Sequence, residues 1–148
     1  MARPRVHLVI SLGLAALQLW RTRRLIPTVA PLASGFLVDA DHLVDHGLRN
    51  SSLGRGGERL VLALHGWEYL LPLGWLESKL LRSRSGYGLT LGLLVHLVVD
   101  HLTNDANSPL TYFVLYRASR GFAGRFFAGE AGQHAWRDAP IRQMWRWL

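Results

Sequence analysis

Three apolar stretches of this chain carry histidine and a carboxylate at helical spacing. In FLVDADHLVDH, Asp39 and His42 are three residues apart, while Asp41 and Asp45, and His42 and His46, are four apart. In LALHGWEYL, His65 and Glu68 are three apart, and in GLLVHLVVDHLTN, His96 and Asp100 are four apart, with His101 and Asn104 beside them. Residues three or four apart share a helix face, so each pair can aim at one place. An isolated buried carboxylate is strongly disfavoured and is normally paired, neutralised or metal-bound. Asp100 lies among Leu93, Leu94, Leu97, Val98, Val99 and Leu102, with no lysine or arginine in that segment. One or two divalent cations would compensate several such carboxylates at once.

The chain contains no cysteine. Disulfides, thiolate ligands and cysteine nucleophiles are excluded, and any metal site must be built from nitrogen and oxygen. Mixed imidazole and carboxylate ligands suit zinc, manganese or iron, with zinc first because imidazole matches it well. The candidate ligands are Asp39, Asp41, His42, His65, His96 and Asp100, with His101 adjacent. His7, one turn into the first apolar run, is a fifth ring in an unexpected place and either reaches the site from a fourth element or only sits at an interface. One histidine–aspartate pair on an apolar helix is more often a plain hydrogen-bonded pair than a ligand set. Three such pairs in 148 residues favour a shared cation. Asp45 and His46, at the start of a loop, are expected to be solvated or to orient a ligand. Asn104 and Asp105 are placed to orient a ligand histidine, and His134 is expected at the surface.

The elements that must position these side chains are apolar and rich in leucine and alanine rather than in valine, isoleucine and threonine. They are also longer than ordinary strands. The fold class expected is therefore all-α, a compact bundle of four to five apolar helices in one domain spanning 1–148. Val6–Trp20 forms the first stretch. Leu25–His46 forms the second, with helix from about Leu32 through Val44 to near Gly47; Pro27 and Pro31 fit a loop or first turn better than a helix interior. Residues 47–57 read as loop. Glu58–Leu80 is the third stretch, bent at Pro72 or Gly74. Arg82–Gly86 is a second loop, Tyr87–Thr103 the most apolar helix, and Leu110–Arg117 a short fifth one. Residues 118–148 form a basic tail rich in tryptophan and arginine. Within it Ile141, Met144, Trp145 and Leu148 share one helix face, suited either to a bilayer surface or to the protein's own core.

Hydrophobic residues make up 49% and charged residues 18%, yet the formal net charge is +7. Of the 17 basic residues only Lys79 is a lysine. An arginine-rich surface suits anionic headgroups or nucleic acid; the apolar content favours lipid, and with no recognition motif in view nucleic acid is not the expected partner. Val6–Trp20 has 15 residues, roughly 22 Å of helix against a hydrocarbon core of ~30 Å. A secretory signal peptide is the alternative for this run, but Trp20 followed by Arg21, Arg23 and Arg24 is no small-residue cleavage site. Basic residues follow every apolar stretch, without the alternation of a multi-pass protein. Helices that dip into or lie along one membrane face are the expectation.

The order of these motifs resembles the bacterial inner-membrane-bound metal-dependent hydrolases, over about residues 7–112. Those proteins carry a histidine early in an apolar first helix, a Pro-Asp-x-Asp-His motif, a His-Arg-Gly-x-Thr-His-Ser motif, and a Gly-Tyr-x-x-His-x-x-x-Asp helix before a Thr-Pro turn. His7 matches the first. Asp39, Asp41 and His42 match the second, with Val38 in place of its proline. His96 and Asp100 match the last, with Thr103 and Asn104 where the turn begins. The third departs: only His65 and the following Gly66 are present, and Glu68 stands where a partner is missing. The resemblance implies a helical, membrane-associated, metal-dependent hydrolase.

On that reading Asp41 and Glu68 are the expected catalytic carboxylates, with Glu68 as general base one turn from His65. Arg49, Arg55 and Arg59 could hold an anionic group such as a phosphodiester, or simply form a solvated basic surface. A lipid phosphoester is the expected substrate, and membrane lipids and anionic headgroups the expected partners. The competing expectation is a non-catalytic membrane protein whose metal, or histidine–carboxylate network, staples the helices together.

Overall fold

The computed structural model describes residues 4–49, 59–81, 84–104 and 106–127. Helix α1 is Pro4–Thr22, α2 Leu25–Phe36, α3 Asp41–Arg49, α4 Leu70–Lys79, α5 Gly88–Thr103 and α6 Val114–Ser119. Short 3-10 turns at Leu37–Ala40, Trp67–Tyr69, Pro109–Tyr112 and Gly124–Phe126 connect or follow them. Among the described residues no strand forms, and extended pairing is confined to a bridge between Arg59 and Ala123. The all-α expectation holds. Arg55, Asp105, His134 and the amphipathic 141–148 segment lie outside the described residues.

Two boundaries differ from the expected ones. The helix expected over 32–44 is two helices, α2 and α3, joined by the 3-10 turn that carries Asp39. Pro27 lies in the first turn of α2, as a proline can, but Pro31 lies inside the helix and is buried. Proline lacks the N–H that would bond the carbonyl four residues back. Here the ring is held by packing: α2 lies against α5 where that helix has only glycine. A Cβ on Gly88 would come within 2.8 Å of Ala30 Cβ and 2.9 Å of Pro31 Cδ, and one on Gly92 within 2.8 Å of Pro31 O. Gly88, Gly92, His96 and Asp100 form one stripe along α5, spaced by four, and all four are buried. The glycines bring α2 in, and the same stripe then delivers the histidine and the aspartate.

The N-terminus of α5 is fixed by Glu77 of α4. Its fully buried carboxylate accepts from Leu89 N (3.0 Å), Thr90 N (2.8 Å) and the Thr90 hydroxyl, satisfying donors that a helix start leaves open.

The third stretch departs furthest from its expected form. Residues 60–65 are neither helix nor strand, so their backbone groups need other partners. Side chains supply them. Asp45 accepts from Val61 N (3.0 Å) and Leu62 N (2.8 Å), and Asp41 from Leu64 N (2.8 Å). The Arg117 guanidinium, fully buried, donates to Leu62 O (2.9 Å) and His65 O (2.7 Å). Leu62 is held at φ +44°, a left-handed conformation disfavoured by about 1–2 kcal/mol, and its side chain is buried in the core with Val38, Leu60, Leu93, Leu97, Tyr112 and Phe127.

Candidate metal centre

Six of the expected ligands meet. His7 comes from α1, Asp39 from the 3-10 turn, His42 from the first turn of α3, His65 from the 60–65 segment, and His96 and Asp100 from α5. Among the described residues they fall into two groups, His7, His96 and Asp100, and Asp39, His42 and His65, each with donor atoms within 4.8 Å of one another.

The groups touch at two imidazoles. His96 Nδ1 lies 2.9 Å from Gly35 O. A carbonyl only accepts, so Nδ1 carries the proton and Nε2 presents its lone pair. His65 Nδ1 lies 3.0 Å from Asp41 Oδ2, which fixes the same tautomer. The two Nε2 atoms then face one another at 3.0 Å. Around them, Asp100 Oδ2 is 3.4 Å from each Nε2, and Asp39 Oδ1 is 3.5 Å from His65 Nε2 and 3.6 Å from His96 Nε2. Two lone pairs and two carboxylate oxygens thus converge with no proton between them unless one is added. Donors sharing one tetrahedral cation at ~2.0–2.2 Å stand about 3.3–3.6 Å apart, the range of the four nitrogen–carboxylate separations.

The remaining rings flank this centre. His7 Nε2 is 3.1 Å from Asp100 Oδ1, the carboxylate's other oxygen, and its ring stacks on His96 with centroids 4.0 Å apart. His42 Nε2 stands 3.8 Å from Asp39 Oδ1, beyond hydrogen-bond reach. His7 Nδ1, His42 Nδ1 and Asp41 Oδ1 are buried without a hydrogen-bond partner, the condition expected of groups awaiting a ligand or an ordered water. These residues can hold a metal ion.

The electrostatics without a metal agree. Burial by itself would raise the carboxyls of Asp39, Asp41 and Asp100, but hydrogen bonds and charge from the surrounding histidines hold all three below the usual carboxylate range. Burial would strip the proton from His65, yet hydrogen bonds to Asp39 and Asp41, with the charge of Asp41 and Asp100, push that ring up to about 10. Burial and the charge on His65 lower His42 to about 4. A proton on His65 is the small cation that the metal-free cluster draws in.

Three expected site residues, Glu68, His101 and Asp41, fall outside both groups. Glu68 is three residues from His65, but His65 is not in a helix, so the spacing does not align them. The Glu68 carboxylate accepts from Leu115 N at the start of α6 (2.9 Å). His101 follows Asp100 on α5, is exposed, and meets Trp67 and Tyr112 edge-on. Asp41 orients His65 rather than joining a donor group. Asp45, expected to be solvated or to orient a ligand, is buried and accepts from the Val61 and Leu62 amides. Asn104 donates to Tyr112 Oη (2.6 Å). Arg117, Glu77 and the α5 glycines were not readable as site-building residues. Arg117 acts on residues 52 and 55 positions away, a link that no local spacing signals.

Compared with known proteins, the chain matches no family model, no curated protein and no solved structure.

Proposed function

We propose that this protein is a membrane-associated, metal-dependent hydrolase of a phosphoester or lipid substrate, with zinc as the first choice of metal. The observation that carries the reading is the convergence of His65 Nε2, His96 Nε2, Asp39 Oδ1 and Asp100 Oδ2, with both ring tautomers fixed from behind. The motif order shared with bacterial inner-membrane-bound metal-dependent hydrolases supports it.

When bound, a divalent cation supplies a Lewis acid and activates water near neutral pH. The chain's own residues do the rest. Asp41 and Gly35 O hold the two central imidazoles in register. Asp39, with its side chain 15% exposed against 0–7% for His7, His42, His65, His96 and Asp100, is the donor an entering molecule meets first. Glu68, the expected general base, accepts from Leu115 N through Oε1, and its buried Oε2 has no hydrogen-bond partner. A cavity of about 290 Å³ adjoins Asp41, walled by Val44, Val61, Ala63 and Leu64 with Asp45; its apolar lining fits part of a hydrocarbon chain.

Lipid contact is supported by an inverted first helix. α1 buries His7, Ser11, Ala15 and Gln18 and exposes Val9, Leu12, Leu17 and Trp20. Leu25, Leu71, Leu102 and Leu115 are also each more than 70% exposed. An exterior this apolar fits lipid or another protein better than water. Among the described residues no helix is long and apolar enough to cross a membrane, so the reading is of helices lying along or dipping into one face. The near-complete burial of five of the six donors favours one second reading, a metal or histidine–carboxylate network that staples the helices without turnover.

The test is hydrolysis by the full chain in mixed micelles, stripped with chelator and then reloaded with Zn²⁺ or Mn²⁺, on a chromogenic phosphodiester and on phospholipid. Turnover that returns with metal and is lost in His96→Ala supports the enzyme. Metal binding with no turnover on either substrate leaves the staple.

A further inference from the structure

We propose that the cluster holds two divalent cations side by side, one on His7, His96 and Asp100 and the other on Asp39, His42 and His65. This deepens the metal-site reading above and rests on it. Each group supplies two imidazoles and one carboxylate with donor atoms within 4.8 Å of one another. Three protein donors per cation is the pattern of an open rather than a closed site.

The outer rings carry the argument. A single cation between His65 and His96 would leave His42 unexplained. That ring is buried, its Nδ1 has no partner, and its Nε2 is 3.8 Å from Asp39 Oδ1. A buried imidazole without a hydrogen bond is costly, and a cation between His42, Asp39 and His65 would give one nitrogen of the ring a partner. On the opposite side His7 Nε2 faces Asp100 Oδ1, while His96 and His65 face Oδ2. The two oxygens of one carboxylate thus look toward different rings, as a carboxylate extending beyond a single centre does. Charge points the same way. Asp39, Asp41 and Asp100 bring three negative charges, of which one divalent ion leaves one uncompensated, whereas two ions leave none.

The experiment counts metal. The full chain in detergent is stripped, loaded with Zn²⁺ alone, freed of excess and measured by elemental analysis. The expected content is two per chain, falling to one in His42→Ala and to one in His7→Ala. Because a variant can fail for reasons of folding, the unmodified chain is also titrated with Mn²⁺ and followed by electron paramagnetic resonance. An isolated six-line signal at one equivalent should be replaced by an exchange-coupled multiline signal at two. Saturation at one Zn²⁺ per chain, with an isolated Mn²⁺ signal throughout, overturns the two-cation arrangement and leaves the metal-site reading intact. No bound metal of either kind overturns both.

Discussion

At the scale of single residues, the centre depends on two imidazole tautomers chosen by acceptors outside the donor groups. Asp41 is the clearest case. Its Oδ2 takes both His65 Nδ1 and Leu64 N, so one carboxylate sets the ring's proton and the path of the chain that carries it. Asp41→Asn keeps the shape but offers an amide where an anion stood. Zinc affinity should fall by about 10–100-fold, the usual cost of losing such a supporting partner, as measured by competition with a chromophoric chelator. His65 gives a second prediction. In metal-free protein its pKa is raised from 6.5 to about 10. A raised folded-state value means the ring contributes stability in full below 6.5 and loses it as pH climbs through about 10. The melting temperature of stripped protein should therefore drop across pH 7–10, and zinc-loaded protein should not show that drop, because the metal replaces the proton. Equal pH profiles for the two forms would contradict this. Most of these residues were legible in the sequence: His96 with Asp100 and Asp39 with His42 follow directly from helical spacing. His65 was found by the same rule although it sits in no helix, and Glu68, chosen as the one glutamate a turn away from it, lies outside both donor groups.

At the scale of elements, the stripe Gly88–Gly92–His96–Asp100 joins packing to chemistry. Its glycines let α2 approach, and that approach puts Gly35 O at 2.9 Å from His96 Nδ1. A Cβ at Gly92 would clash with Ser34 Oγ and lie 2.8 Å from Pro31 O and 2.9 Å from Pro31 Cα. The serine can rotate, but the backbone of α2 cannot yield without shifting. Gly92→Ala should cost about 1–3 kcal/mol of stability, the range for overpacking, and should weaken zinc binding as His96 loses its carbonyl; denaturant unfolding and a zinc titration of the same preparation check both. An unchanged titration would mean that the glycine stripe and the site are independent. The apolar stretches were legible as helices. The interruption of the second by a 3-10 turn was not, nor was the irregular third. A proline inside α2 is tolerated only because α5 lacks side chains opposite it, and the 60–65 segment is held by Asp41, Asp45 and Arg117 through bonds to residues 16 to 55 positions away.

At the scale of the whole molecule, α1 turns His7, Ser11 and Gln18 inward and Val9, Leu12, Leu17 and Trp20 outward. On the proposed membrane association, a net charge of +7 and this apolar exterior would act separably: arginine on anionic headgroups, which salt screens, and apolar surface in lipid, which salt does not weaken. Membranes carrying the protein should retain most of it after washing at about 1 M salt, where the screening length is roughly 3 Å, and release it to detergent. Complete release by salt would make the surface charge sufficient and remove the case for lipid-facing helices. The composition alone suggested a lipid partner; the inversion of α1 could not be read before its buried face was known.

Everything functional here depends on metal bound at the His65 and His96 rings. The most direct test is an anomalous difference map from crystals of zinc-loaded protein, collected on either side of the zinc edge. The account predicts density about 2.0–2.2 Å from a central Nε2 atom, with Asp39 or Asp100 completing the contact. A map with no peak at these rings, or with zinc only at surface histidines such as His101, would contradict it.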